Sequence, residues 1–377
     1  MKLTDIETPA ALIDERRMAA NIARLQQRMT DLGVRLRPHV KTSKCIEVAR
    51  RQRDAGAAGI TVSTLKEAEQ FFAAGFGDIL YAVCISPDKL DRALALFRRG
   101  CVLTLLIDSV AAARAVVAKG HPFEVMIEID SDGHRSGVQP EDPVLIEIGR
   151  VLHEGGARLK GVLTHAGSSY DLNTPKALQK LAEQERRLSV RAAERLRSAG
   201  LPCPEVSVGS TPTALSAQSL EGVSEVRAGV YVFFDLVMAN VGVCTPENVA
   251  LSVLTTVIGH QPEKGWVIVD AGWMAMSRDR GTQRQTIDYG YGIVCDAEGR
   301  AIEGLLVTAA NQEHGIISRS DGPGEEKANA CLVKRFPIGA KVRVLPNHAC
   351  ATGAQYPAYH VVTAEGATLV WPRFHGW

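Results

Sequence analysis

The sequence predicts an α/β chain built as a (β/α)8 TIM-like barrel followed by a C-terminal all-β domain, and three observations carry that expectation. Between about residues 35 and 231, eight short β-branched or apolar runs alternate with longer stretches whose apolar residues recur at helical spacing. Eight parallel βα units are what closes a barrel of this class. Beyond Asn240 the texture changes to strand-like runs separated by Gly, Pro and Asp turns, with little helical periodicity.

Taken in order, a short strand-like piece at 10–13 comes first, placed to pair with the later β domain, and a helical stretch at 18–32 follows. The eight runs are 35–40, 59–63, 79–83, 102–107, 124–129, 159–164, 205–208 and 225–231. Helical stretches such as 65–74, 87–99, 110–119 and 177–199 separate them and are rich in Ala, Leu, Glu and Arg. Ser109 is placed to cap the helix after the fourth run, and Gly200-Leu201-Pro202 to stop the one before the seventh. An open doubly wound sheet is the rival architecture. It would carry a glycine-rich turn after its first strand, where this chain has His39-Val40-Lys41-Thr42-Ser43-Lys44. The later runs are 249–258, 265–270, 304–309, 341–345 and 368–371. The expected domains are a barrel over 14–240 and a β-strand domain made of 1–13 and 241–377.

Composition excludes several classes of function. With 46% hydrophobic and 23% charged residues in 377, the chain is globular rather than disordered or fibrous. Lys+Arg 43 against Asp+Glu 42 leaves a net charge of +1, and no segment concentrates basic residues among aromatics, so no nucleic-acid or membrane partner is expected. The apolar runs fall far short of the roughly 20 residues that cross a bilayer. The first residues lack a secretory pattern, and the eight cysteines show no C-x-x-C, which points to a cytoplasmic setting.

In such a barrel, chemistry sits where strands end. The first run ends on Lys41, an amine at the barrel mouth suited to attack an aldehyde. The fifth ends in a polar string with Arg135 as an oxyanion holder, and the sixth puts His165 and Tyr170 at one rim. The seventh ends Gly209-Ser210-Thr211, a composition that takes a phosphate through backbone N–H groups and hydroxyls, and the eighth brings Arg227, Gly229 and Val230. Loops after strands seven and eight are the habitual phosphate site of this fold. A lysine on the first strand and a phosphate cradle on the last two together suggest pyridoxal phosphate. In the β domain, His348 and Cys350 form an H-x-C pair that an extended backbone would point to one face, donors suited to a divalent ion such as zinc. Most isolated pairs of this kind bind nothing.

Several blocks, in order along nearly the whole chain, resemble a known family: Arg37-Pro38-His39-Val40-Lys41-Thr42, Thr164-His165-Ala166-Gly167, Asp270-Ala271-Gly272, Gln312-Glu313-His314-Gly315 and Pro346-Asn347-His348-Ala349-Cys350. The chain is similar to the alanine-racemase-like, fold-type III pyridoxal phosphate group that joins D-serine dehydratases, D-threonine aldolases and D-threo-3-hydroxyaspartate dehydratases. Within it, Thr61 to Gln70, Gly229 to Asp235 and His375-Gly376-Trp377 look most like the bacterial hydroxyaspartate dehydratases.

The resemblance implies that Lys41 carries the Schiff base and serves as α-proton base, and that His348 and Cys350 hold one divalent ion, zinc, manganese or cobalt. Arg135 would face the cofactor's phenolic oxygen, His165 and Tyr170 would line its ring, and Gly209, Ser210, Thr211, Gly229 and Val230 would take its phosphate. Arg227 matches the position where alanine racemases set an arginine on the pyridine nitrogen, whereas related aldolases have a neutral residue there. Many relatives read Lys-Thr-His-Lys where this chain has Lys41-Thr42-Ser43-Lys44, so a second base at position 43 is lost. The aldolases commonly have H-x-D, so H-x-C favours dehydration. The implied activity is metal-assisted elimination of water from a D-β-hydroxy amino acid, D-threo-3-hydroxyaspartate to oxaloacetate and ammonia, by a homodimer. The alternatives are a D-serine dehydratase, a D-threonine or 3-hydroxyaspartate aldolase, a racemase, and a non-catalytic carrier of the cofactor.

Overall fold

The computed structural model describes residues 2–322, 326–363 and 366–377. The chain forms two compact units, Ala23–Gly229 with Gly376–Trp377, and Met1–Ile22 with Val230–His375.

Strand β1 (Ala10–Asp14) opens the chain, and the helix Glu15–Asp31 leads to the barrel strands. These are β2 (Arg35–Pro38), β3 (Ile60–Val62), β4 (Asp78–Cys84), β5 (Val102–Ile107), β6 (Glu124–Ile129), β7 (Arg158–Thr164), β8 (Glu205–Val208) and β9 (Glu225–Ala228). All neighbours are parallel, in the order β2-β9-β8-β7-β6-β5-β4-β3, and a parallel bridge between His39 and Thr61 joins the two ends into a barrel. The eight runs read from the sequence are these eight strands. The last is shorter than 225–231, because after Gly229 the backbone turns into the 3-10 segment Val230–Val232.

Local signals work as expected at the barrel helices. Ser109 Oγ accepts the Ala112 N–H and caps Val110–Val117. The helix Pro175–Ser198 stops just before Gly200, whose φ of 77° is left-handed. Between β2 and β9 the barrel interior is ionic: buried Arg37 donates to Glu225 Oε2 at 2.8 Å and to both Asp78 oxygens at 3.0 and 2.9 Å. Glu225 Oε1 accepts from Ser207 on β8 at 2.8 Å, so one guanidinium ties β2, β4, β8 and β9 together.

The second unit holds β1 with β10 (Leu251–Gln261), β11 (Trp266–Val269), β12 (Ile293–Cys295), β13 (Ala301–Ala310), β14 (Gly315–Arg319), β15 (Lys341–Leu345), β16 (Ala358–Val362) and β17 (Thr368–Pro372). Strand β10 is the hinge of this sheet. Its first half pairs with β1 and β15, and after a bulge between Val257 and Gly259 its second half pairs with β11. That double use closes β11-β14-β13-β12-β15-β10 into a ring, with β1, β16 and β17 extending it. The run at 10–13 thus pairs with the β unit, antiparallel to β10 and parallel to β16.

Two sequence blocks turn out to be framework. Asp270 accepts from Thr255 Oγ1, the Thr256 N–H and Thr8 Oγ1 at 2.7, 2.9 and 2.5 Å, which pins the corner after β11. Behind it, a Cβ on Gly272 would lie 2.3 Å from the Gln312 carbonyl, so the block at 270–272 and the β13–β14 turn pack backbone to backbone. Where the sequence predicts strands alone, residues Glu326–Arg335 form a helix. No helix among the described residues is long and apolar enough to cross a membrane.

Removing Arg37 by Arg37→Leu strands Glu225, which is 3% exposed, without its cation. The expected loss is about 3–5 kcal/mol of unfolding free energy in urea titration, and a loss below about 1 kcal/mol would show that the network does not hold the barrel closed.

Candidate active site

The C-terminal ends of the barrel strands carry a cationic rim. After β2 the His39 N–H donates to the Ala228 carbonyl at 2.7 Å and the Val40 N–H to that of Thr61 at 2.9 Å, so the segment leading to Lys41 is held from both sides. Lys41 itself is exposed, between buried Val40 and Thr42. Three residues on, Lys44 adopts a left-handed φ of 43° and sets its Nζ 3.2 Å from Oε1 of fully buried Glu67. Glu67 also accepts the Ser63 N–H and hydroxyl, which fixes the turn following Lys41.

From the β6 end, Arg135 Nη2 lies 3.6 Å from buried Glu128, which accepts from Ser136 Oγ at 3.0 Å and Cys84 Sγ at 3.1 Å. Cys84, Asp108 and Glu128 bring donor atoms within 4.8 Å of one another. Burial first, and then the Glu128 charge, push the Cys84 thiol far up, so it stays a protonated hydrogen-bond donor there. After β7, His165 Nδ1 is 3.1 Å from the Gly209 carbonyl. A carbonyl only accepts, so Nδ1 carries the proton and Nε2 keeps a lone pair. The Tyr170 ring lies 6.3 Å from that imidazole. On β9, buried Arg227 donates from Nε to Ser207 Oγ at 3.0 Å and from Nη2 to the Thr164 carbonyl.

These groups sense one another. Burial, then the charges of Arg135 and Lys41, push His165 down to about 3 against the Gly209 hydrogen bond. Burial and the charges of Lys41, Arg227, His165 and Arg135 take His39 well below the usual imidazole range. Burial lowers Arg227 to about 10, with Glu225, Glu185 and Glu128 opposing. Two neutral imidazoles therefore stand among three cations, and His39 Nδ1 is buried with no hydrogen-bond partner among the described residues. That donor set fits an anionic aromatic ligand such as pyridoxal phosphate.

Close backbone approach at the rim also fits. Gly209 has φ 130°, and a Cβ there would lie 2.3 Å from the Arg227 carbonyl; one on Gly229 would lie 3.0 Å from Thr42 Oγ1. Ser210 caps the helix Thr211–Ser216, its Oγ accepting the Thr213 N–H at 3.2 Å while Thr213 Oγ1 accepts the Ser210 N–H at 3.0 Å. The Gly209 N–H goes to Glu185 Oε1 at 3.0 Å. The Gly209 and Ser210 amides are thus engaged inside the protein, with Glu185 and Thr213 respectively. Val230 starts the 3-10 turn and counts with the other unit.

In that other unit, His348 and Cys350 do come together, but not on an extended backbone. His348 is the N-cap of the short helix Ala349–Gly353, and Cys350 lies in its first turn, hydrogen-bonded to the imidazole. Buried Asp235 makes the turn possible by accepting the Ala349 N–H at 2.9 Å, as well as that of Met238 at 3.0 Å. His348 Nδ1 contacts Asp279 Oδ2 at 2.5 Å. Burial opposes the charged ring, yet the Asp279 and Cys350 hydrogen bonds raise it to about 11. In the neutral ring a carboxylate on Nδ1 holds the proton there and leaves Nε2 as the donor a metal would take, the arrangement usual for a metal-ligating histidine.

Sequence reading missed Asp279 and Glu185. Asp279 had no signal. Glu185 did, being a carboxylate on the buried stripe of the helix Pro175–Ser198 with Leu178, Leu181, Ala182 and Ser189.

The chain is similar to known proteins along its whole length. The family model for the alanine racemase N-terminal domain matches residues 13–237, and that for a putative serine dehydratase domain matches 250–362. The chain is 66% identical to D-threo-3-hydroxyaspartate dehydratase of a Delftia species, over 100% of this chain and 99% of that one. It is 30% identical to D-serine dehydratase of Dictyostelium discoideum, over 97% and 96%. A solved structure of D-threo-3-hydroxyaspartate dehydratase, a cysteine-to-alanine variant in the metal-free form, superposes with a TM-score of 0.98 at 66% identity, each chain covered completely. With an alanine-racemase-like barrel, a serine dehydratase domain and whole-length likeness of this order, the chain belongs to the fold-type III family of D-serine dehydratases, D-threonine aldolases and D-threo-3-hydroxyaspartate dehydratases.

Proposed function

We propose that the chain is a pyridoxal phosphate- and divalent metal-dependent lyase that eliminates water from a D-β-hydroxy amino acid, best D-threo-3-hydroxyaspartate, yielding oxaloacetate and ammonia. The observation that carries the reading is the rim of Lys41, Arg135 and Arg227 around the neutral His39 and His165. The substrate rests on the hydroxyaspartate dehydratase at 66% identity.

When bound, pyridoxal phosphate supplies the electron sink that acidifies the substrate Cα–H, and the divalent ion supplies the Lewis acid that lets a β-hydroxyl leave. Lys41 would hold the cofactor at its aldehyde carbon, and its Nζ would be the base that accepts the Cα proton. Arg135 takes the phenolic oxygen, while His165 and Tyr170 line the ring. His165 carries no spare proton in the neutral range, so Lys41 does the proton transfer at this rim. Arg227 would face the ring nitrogen. Ser210 and Thr211 hydroxyls hold the phosphate, with Gly209, Gly229 and Val230 allowing close approach. His348 Nε2 and Cys350 Sγ hold the zinc, manganese or cobalt ion, with Asp279 behind the imidazole. The water lost is regained when the released imino acid hydrolyses, which frees the ammonia. On this reading 14–240 is the cofactor-binding barrel, and 1–13 with 241–377 the metal-bearing β domain. By family likeness the working form is a cytoplasmic homodimer.

Three outcomes are expected. In side-by-side assays, D-threo-3-hydroxyaspartate gives keto acid and ammonia faster than D-serine, D-threonine is a poor substrate, and a chelator stops turnover; glycine and an aldehyde as products would mark an aldolase instead. Lys41→Ala abolishes the visible absorbance of the bound cofactor and lowers activity by at least about a thousandfold, an order set by loss of nucleophile and base together. The third concerns pH. Folded His165 titrates at about 3 against an ordinary 6.5, so the unfolded chain takes up this proton first. Its contribution is present above pH 6.5 and fades as pH falls toward 3. In the cofactor-free chain, His165→Gln should reduce the decline of the urea midpoint between pH 6.5 and 4, and an unchanged decline would show that the imidazole titrates freely.

A further inference from the structure

We infer that Glu185 is a positioning residue for the cofactor's phosphate, acting through the backbone and hydroxyls of the two loops that follow β7 and β8. The inference rests on the pyridoxal phosphate reading above, and the loops it concerns carry His165, Tyr170, Gly209, Ser210 and Thr211.

Glu185 is 2% exposed in the middle of the helix Pro175–Ser198. Burying a carboxylate is costly unless its oxygens are well paired, and the partners of this one among the described residues are two backbone amides and a hydroxyl. Its Oε1 accepts the Ala166 N–H at 3.1 Å and the Gly209 N–H at 3.0 Å, so a single oxygen joins the β7 loop to the β8 loop. The Thr213 hydroxyl bonds the same carboxylate. Beyond Thr213 the chain of contacts continues through buried hydroxyls, Thr213 Oγ1 to Ser210 Oγ at 3.0 Å and Ser210 Oγ to Ser169 Oγ at 2.9 Å. The Gly209 peptide is gripped at both ends, its N–H by Glu185 and its carbonyl by His165 Nδ1. A shift of Glu185 therefore acts first on the Gly209 turn and the Ser210 hydroxyl, and reaches the His165 ring only through the far end of the Gly209 peptide. A leucine or alanine at this point of the helix stripe would supply the packing. What only a side-chain oxygen supplies is a fixed distance between the two loops that present the anion donors.

The chemistry predicts an effect on the phosphate rather than on the cofactor as a whole. Pyridoxal uses Lys41 and the ring contacts but lacks the group that Ser210 and Thr211 address, so comparing the two ligands isolates the cradle. Glu185→Asp keeps the charge but withdraws the carboxylate by one methylene, out of reach of both amides. Glu185→Gln keeps the Oε1 acceptor. Glu185→Ala removes it.

The test is titration of each cofactor-free protein with pyridoxal phosphate and with pyridoxal, followed by visible absorbance, with the melting temperature of each unliganded variant recorded alongside. The expected result is that Glu185→Asp and Glu185→Ala weaken pyridoxal phosphate at least tenfold and pyridoxal less than threefold, while Glu185→Gln stays within about threefold of the parent for both. Should Glu185→Ala fail to fold, Glu185→Asp alone decides. Equal weakening of both ligands, or none, in Glu185→Asp would overturn the inference and leave Glu185 a core residue whose loss only lowers the melting temperature. Failure of the parent chain to bind pyridoxal phosphate would instead overturn the underlying functional reading.

Discussion

Two arginines stand side by side where the barrel closes, and most of the site follows from how differently they are neutralised. Arg37 and Arg227 are register partners on β2 and β9. Arg37 has the carboxylates: burial works against its charge, but Glu225 and Asp78 outweigh burial and raise its already high pKa further. Arg227 has neutral hydrogen-bond partners, Ser207 and the Thr164 carbonyl, and its pKa falls. The ionic layer at the N-terminal side of the pair holds the strands together. The under-compensated cation on the other side faces the strand ends where His165 and Lys41 lie. Stability and the demand for an electron-rich ligand are thus split between neighbouring residues of one network.

The same division of labour recurs at the rim. Groups that would contact a ligand, Lys41, Arg135, His165 and Ser210, are each held by a residue that would not. Lys44 and Glu67 anchor the turn after Lys41, Glu128 restrains Arg135, and Glu185 ties His165 and Ser210 through Gly209. In the β unit, Asp279 plays that part for His348 and Asp235 for the turn that carries Cys350. Carboxylates hold almost every position, because an acceptor-only group with two oxygens can fix two donors at once.

The mutual depression of the imidazoles has a chemical consequence. Burial first, and then the neighbouring cations, keep His39 and His165 neutral, so neither imidazole carries an exchangeable charge near neutrality. The absence of a histidine at position 43 works in the same direction.

Much of this could be read before any coordinates. The barrel was legible because β-branched runs and amphipathic stretches alternate with the periods of strand and helix, and such periods are local properties of the chain. Lys41, Arg135, His165 and the Gly209-Ser210-Thr211 turn could be singled out because strand ends are marked by abrupt changes from apolar to polar residues. The geometry of His348 and Cys350 could not, since a helix turn replaces the extended segment only when Asp235, more than a hundred residues earlier, accepts the Ala349 N–H. Nor could the spending of the Gly209 and Ser210 amides on Glu185 and Thr213, or the pairing of Asp279 with His348. Which residues carry the chemistry is written in local pattern; which partner each one has depends on contacts between distant segments, and those form only when the chain is folded.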